Sequence, residues 1–232
     1  MALTTLAPDL LWQTHHCMAP VRGVTLPCST TLARLTDGSL AVITPGPLTD
    51  DDSEAIEKLG SVTWLIAPNL YHHLYLRPAR ERFPDARLLV APGLEKKRAG
   101  LPVDGILGEA ELPEGLVGYG IRGTPGFAEW VFLHPTSRTL ITTDLVFNLG
   151  RPSGCLSPLM YGIMGTWNRV ACSRLWRSFI KDRPAFDASL GELLELDFDR
   201  LVMAHGESIA PNGKTALQEA IAHRWGVRRA AR

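Results

Sequence analysis

The 232-residue sequence has no excess of either charge: 24 Lys+Arg stand against 24 Asp+Glu. That balance argues against a nucleic-acid-binding stripe or a polybasic membrane anchor. No uninterrupted apolar run approaches the roughly 20 residues that a membrane span needs. The start, Met1 to Asp9, has neither the basic region nor the long apolar core of a secretory signal. Cys17, Cys28, Cys155 and Cys172 form no C-x-x-C pair, which suits reduced thiols in a cytoplasmic protein. Tandem repeats and low-complexity tracts are missing, so solenoids and linkers drop out. The Gly-rich stretch Gly115 to Gly120 does not follow a strand and open a helix, so it is no dinucleotide fingerprint. What remains is a globular chain long enough to bury a sizeable core. Its expected partner is a small molecule, with no nucleic acid and no membrane.

What is present is an alternation of apolar runs and breakers. Val24 to Leu35 and Ser39 to Thr44 flank Asp37-Gly38, a hairpin signal. Asp50 to Ser53 offers N-caps for a helix ending near Gly60. Val62 to Ala67 and Arg87 to Ala91 read as strands stopped by prolines, with a helical pattern from His72 to Phe83 between them. In the second half Leu116 to Arg122, Trp130 to His134, Thr139 to Thr143 and Arg200 to Ala204 read as strands. Asp187 to Leu196 and Lys214 to Arg224 read as helices. Hairpins mixed with helices predict a layered α/β sandwich with mixed sheets.

Three of these strands end in metal-competent side chains: Asn69-Leu70-Tyr71-His72-His73, Thr143-Asp144 and His205-Gly206. Strand ends on one sheet edge converge, so distant residues can surround one ion. Two imidazoles and a carboxylate leave an open coordination position, the arrangement of catalytic zinc.

Thr124-Pro125-Gly126-x-x-x-Trp130, Thr142-Thr143-Asp144 and Met203-Ala204-His205-Gly206, in that order, resemble the metallo-β-lactamase superfamily. The Pro68-Asn69-Leu70-Tyr71-His72-His73 loop is similar to that of its DUF4336 branch. The resemblance implies a four-layer αββα sandwich with two mixed sheets, a single domain over 1–232 and a helical insertion at about 150–183. Laying the family's H-x-H-x-D-H loop over the chain puts Asn69 and Tyr71 at the first two histidines, His73 at the aspartate and Leu74 at the last histidine. The histidine after Thr-Pro-Gly is Phe127. The usual first metal site is therefore replaced, and a degenerate, mononuclear centre of His73, Asp144 and His205 is the implied remainder. Its implied chemistry is hydrolysis of a small ester, lactone or thioester with one divalent metal, zinc, manganese or iron. Asn69, Tyr71 or His72 would then donate to the oxyanion.

Each residue has a plainer reading. Asp144 caps a helix or pairs with His205, His205 is a buried structural imidazole, and His72 and His73 open a helix. Asn69 and Tyr71 make a polar pocket without metal. That alternative is a catalytically silent, metal-free protein binding a small molecule or protein partner. His15-His16-Cys17 reads as a solvated turn, and His134 as a turn residue facing water. Met160, Tyr161, Met164, Trp167, Trp176 and Phe179 are too many large apolar groups for a bare loop. They form either a lid or a homo-oligomer contact. Arg169, Arg174 and Arg177 read as a solvated helix face or as partners of an anionic substrate. The basic end from Arg224 to Arg232 reads as a frayed, solvated helix.

Overall fold

The computed structural model describes residues 3–227. Met1, Ala2 and the tail residues Arg228, Arg229 and Arg232 lie outside the described residues. The first half runs β1 (Thr4–Ala7), β2 (Leu11–Met18), β3 (Leu26–Arg34), β4 (Leu40–Ile43), α1 (Asp50–Leu59), β5 (Val62–Ala67), α2 (Leu76–Arg82), β6 (Arg87–Val90), α3 (Leu94–Lys97) and β7 (Gly105–Ile106). Its strands form one sheet in chain order. Pairing is antiparallel from β1 to β4 and parallel from β4 to β7. The switch follows from the connections: Asp37 closes a tight turn by accepting from the Ser39 N–H at 2.9 Å, whereas helices link the later strands. α1 begins with a reciprocal cap between Thr49 and Asp52.

The second half runs β8 (Val117–Gly120), β9 (Trp130–His134), β10 (Thr139–Ile141), β11 (Phe147–Asn148), α4 (Ser157–Met164), β12 (Val170–Ala171), α5 (Trp176–Phe179), α6 (Arg183–Glu195), β13 (Arg200–Val202) and α7 (Gly213–Trp225). The second sheet has the order β13-β10-β9-β8, and β11 pairs with β12 as a small ribbon. Side-chain alternation divides the core into layers. Leu40, Val42, Leu65 and Leu88 face Ile56, Leu76, Ala79 and Leu94 of α1 to α3. Ala41, Ile43, Ile66 and Leu89 face Phe132, Ile141 and Val202 of the other sheet. Val131, Leu140 and Leu201 then meet Leu190, Leu193, Leu217 and Ile221 of α6 and α7. The result is the expected αββα sandwich. No helix among the described residues is long and apolar enough to cross a membrane.

Several local expectations are corrected. His15, His16 and Cys17 lie on β2, paired to β3 through the whole strand, and are not a turn. His134 is buried; its Nε2 meets the Arg34 carbonyl at 2.8 Å and its Nδ1 the Ser137 hydroxyl at 2.7 Å. α2 begins at Leu76, so His72 and His73 sit in the loop before it. Pro78 falls in the first turn, where its missing N–H removes no helical bond. α6 starts earlier than its apolar stripe implied, because Asp182 caps it by accepting from the Ala185 N–H at 3.0 Å.

Candidate metal centre

The loop after β5 is shaped by Asn69, which is fully buried. Its Oδ1 accepts from the backbone N–H groups of Tyr71 and His72 at 2.8 and 2.9 Å, an Asx-type turn. The turn sends His72 inward: its Nε2 lies 3.0 Å from Asp144 Oδ2. His73 goes the other way, its Nδ1 accepting from Arg98 Nε at 3.0 Å. His72, and not His73, therefore joins Asp144 and His205. Their ligand-type atoms all lie within 4.8 Å of one another, the one such group among the described residues.

Asp144 follows β10, and its side chain spans both imidazoles. Oδ1 lies 3.1 Å from His205 Nε2. The Asp144 carbonyl accepts from Trp176 Nε1 at 2.8 Å, and its Oδ2 accepts from Asn69 Nδ2 at 2.8 Å. Burial alone would raise the Asp144 carboxyl; the facing His72 charge and hydrogen bonds from His205 and His72 overcome it and hold it well below the usual carboxylate range. The same balance acts on His205: burial would lower it, but hydrogen bonds with Asp144 and Cys28 raise it well above an ordinary histidine.

His205 follows β13 and is fixed from behind. Its Nδ1 lies 2.9 Å from the Pro27 carbonyl, which only accepts, so Nδ1 carries a proton and Nε2 is turned to Asp144. The ring stacks on Phe147 at 5.1 Å. Gly206 makes this placement possible: its φ is +103°, and a Cβ there would run into the Asn148 carbonyl.

One carboxylate had no signal in the sequence. Glu129 is buried at the start of β9. Its Oε1 accepts from the Thr143, Asp144 and Leu145 N–H groups at 3.1, 3.0 and 3.3 Å and from Thr143 Oγ1 at 2.6 Å. Its Oε2 accepts from Asn69 Nδ2 at 2.7 Å. Glu129 thus fastens the Asp144 turn to the Asn69 loop. Burial, and then the Asp144 charge, raise its carboxyl above the ordinary range, against the pull of these donors. A lone glutamate next to Trp130 carries no spacing signature, which is why pattern reading passes over it.

The donors expected for an oxyanion take other parts. Asn69 gives its amide to Glu129, Thr143 and Asp144, and so cannot serve a ligand. Tyr71 lays its ring against Phe127 at 4.9 Å and Phe179 at 5.8 Å. Phe127 also meets Trp176 at 4.6 Å. Tyr71, Phe127, Phe179 and Trp176 thus form an aromatic cluster beside the centre.

The three donors sit in the wall of a cavity of about 430 Å³. Met18, Leu26, Phe127, Met160, Met164, Trp176 and Phe179 make it largely apolar. His16 is a polar lining residue that sequence reading missed. Alternation along β2 turns it and Met18 inward. Its buried Nδ1 has no partner, and burial, then the charges of His205, His72 and His15, lower it to about 4. It is neutral at pH 7.

The residues fit a divalent cation: two imidazole nitrogens and a carboxylate, with the Pro27 carbonyl holding the Nδ1 proton of His205 so that Nε2, on giving up its own proton, would be the nitrogen that meets the ion.

No family model and no curated protein matches the sequence. Solved structures match its fold. A metallo-β-lactamase from Pontibacter korlensis superposes with a TM-score of 0.65 at 12% identity, over 95% of this chain and 97% of that one. A metallo-β-lactamase from Hirschia baltica gives a TM-score of 0.62 at 10% identity, over 99% of both chains. At such identity the likeness is one of fold. The architecture is the metallo-β-lactamase type.

Proposed function

We propose that the protein is a mononuclear, metal-dependent hydrolase of a small ester, lactone or thioester. The observation that carries this reading is the convergence of His72, Asp144 and His205 in the wall of an apolar cavity. Held by His72, Asp144 and His205, a zinc, manganese or iron ion would supply Lewis acidity toward a carbonyl and a bound water of pKa near roughly 7. The protein's own residues supply the rest. Pro27 orients His205, Asn69 and Glu129 hold Asp144, and Trp176 anchors the Asp144 backbone. The aromatic wall excludes water and accepts the apolar part of a substrate. Neutral His16 lines the cavity beside the centre. The Asn69-x-x-His72-His73 loop supports placement in the DUF4336 branch, and the free cysteines support a cytoplasmic setting.

Elemental analysis tests the proposal on tag-free protein purified without chelator after supplementation with zinc, manganese or iron. Near-stoichiometric metal is expected, lost in Asp144→Ala, His72→Ala and His205→Ala and retained in His73→Ala. Hydrolysis of aryl esters, thioesters and lactones should follow the metal. Folded protein that takes up no metal under these conditions overturns the proposal and leaves a silent binding protein.

A further inference from the structure

α4 has no polar face. Its inner side places Met160 and Met164 against the cavity and buries Tyr161, whose hydroxyl donates to the Thr25 carbonyl at 2.6 Å. Its outer side carries Leu159 and Ile163, 65% and 61% exposed. Leu156, one turn earlier, continues the same stripe, and Trp167 and Leu175 stand exposed beyond it. Leu175 also lines the cavity, so the apolar patch reaches its mouth. A short helix that is apolar all round, with half its surface in solvent, calls for a second apolar phase.

The charge around this patch is one-sided. From Leu145 to Lys181 there is no Asp or Glu, while Arg151, Arg169, Arg174, Arg177 and Lys181 are all present and exposed. Arg169 and Arg224 both donate to the Gly165 carbonyl, and Arg174 donates to that of Gly162. These guanidinium groups therefore gather at the C-terminal end of α4, beside Ile163. One cation would satisfy a helix terminus. Here Arg169, Arg174, Arg177 and Arg224 take no part in any ion pair among the described residues. The zero net charge on which the expectation of no membrane rested averages over this local excess.

We infer that the face formed by α4 and its flanking arginines docks on an anionic lipid surface, with Leu159, Ile163 and Trp167 entering the acyl boundary and the arginines meeting the headgroups. Basic residues beside exposed aliphatic and Trp side chains match an interface that is negative outside and apolar within. The mouth of the cavity then opens toward the lipid. The inference is independent of whether the centre binds metal or hydrolyses anything.

Vesicle co-sedimentation of the full chain tests it, with phosphatidylcholine vesicles made with and without phosphatidylglycerol. Binding is expected only with phosphatidylglycerol, with a blue shift of Trp fluorescence that Trp167→Phe reduces. Leu159→Gln/Ile163→Gln should weaken partitioning by more than about tenfold. Arg151→Gln/Arg177→Gln, which gives up no side-chain hydrogen bond among the described residues, should weaken it too, as should about 1 M salt, where the Debye length is about 3 Å. Far-UV circular dichroism checks that both variants are folded. The proposal is overturned by absence of binding to anionic vesicles, by equal binding to neutral ones, or by wild-type binding in the Leu159→Gln/Ile163→Gln variant. A concentration-dependent dimer abolished by that variant, without vesicle binding, assigns the face to a second copy and also overturns it.

Discussion

Replacing Glu129 with Ala removes the acceptor that joins three chain segments near the centre. The Thr143 and Asp144 N–H groups, at 3.1 and 3.0 Å, lose their partner in a buried site, as does the Thr143 hydroxyl at 2.6 Å. Each stranded buried donor costs about 1–3 kcal/mol. Release from burying a carboxylate beside Asp144 offsets part of this. A net loss of about 3–5 kcal/mol is expected, a large share of a domain stability of about 5–15 kcal/mol. Glu129→Gln separates shape from charge. It keeps one acceptor oxygen but sets an amide N–H₂ against Asn69 Nδ2, which already lies 2.7 Å from Oε2. Asn69 cannot turn over to accept, because its own Oδ1 holds the Tyr71 and His72 N–H groups. The Gln variant should therefore lose about 1–3 kcal/mol. Urea unfolding followed by circular dichroism measures both, provided the slope is unchanged. Because Asp144 is then less firmly held, metal affinity should fall about 10–100-fold in Glu129→Gln. A Glu129→Ala variant within about 1 kcal/mol of wild type would refute this account of how Asp144 is placed.

Gly206→Ala should displace the turn that carries His205, lowering both Tm and metal content; an unchanged Tm would show that the Asn148 carbonyl yields freely. Phe127→Ala empties the centre of the aromatic wall and should cost about 3–5 kcal/mol, read by denaturant titration. For His134, burial lowers the folded-state affinity for a proton, so the unfolded chain binds protons first as pH falls below 6.5. Wild-type stability is lost in that direction, and the deficit of His134→Gln in Tm should narrow between pH 7.5 and pH 5. A constant deficit over that range contradicts the assignment.

The layers were legible because each strand repeats its choice of side. Leu40-Ala41-Val42-Ile43 alternates between two cores, and a period-2 pattern needs no tertiary knowledge to read. β1 and β2 escaped because Gln13, Thr14, His15, His16 and Cys17 carry too little apolar contrast to show that alternation. The burial of Gln13 and Thr14 comes from β3 and the segment after β13, where Gln13 Nε2 donates to Thr31 Oγ1 and to the Met203 carbonyl. The second half of the insertion escaped for a different reason: β12 is two residues long and exists only as the partner of β11.

At the centre, the sequence by itself placed Asp144 and His205 near one another, because each stands just past a strand whose apolar run can be read, and strand ends meet at a sheet edge. Tertiary structure alone decided between His72 and His73. Adjacent residues in a loop point to opposite sides, and which one faces inward is set by the Asn69 turn and its anchoring to Glu129 and Asp144, contacts 60 and 75 residues apart in the chain. Glu129 and His16 belong to the same category. Their roles come from what a packed interior places against them, and a buried polar group is recognisable only once its partners, or their lack, are in view.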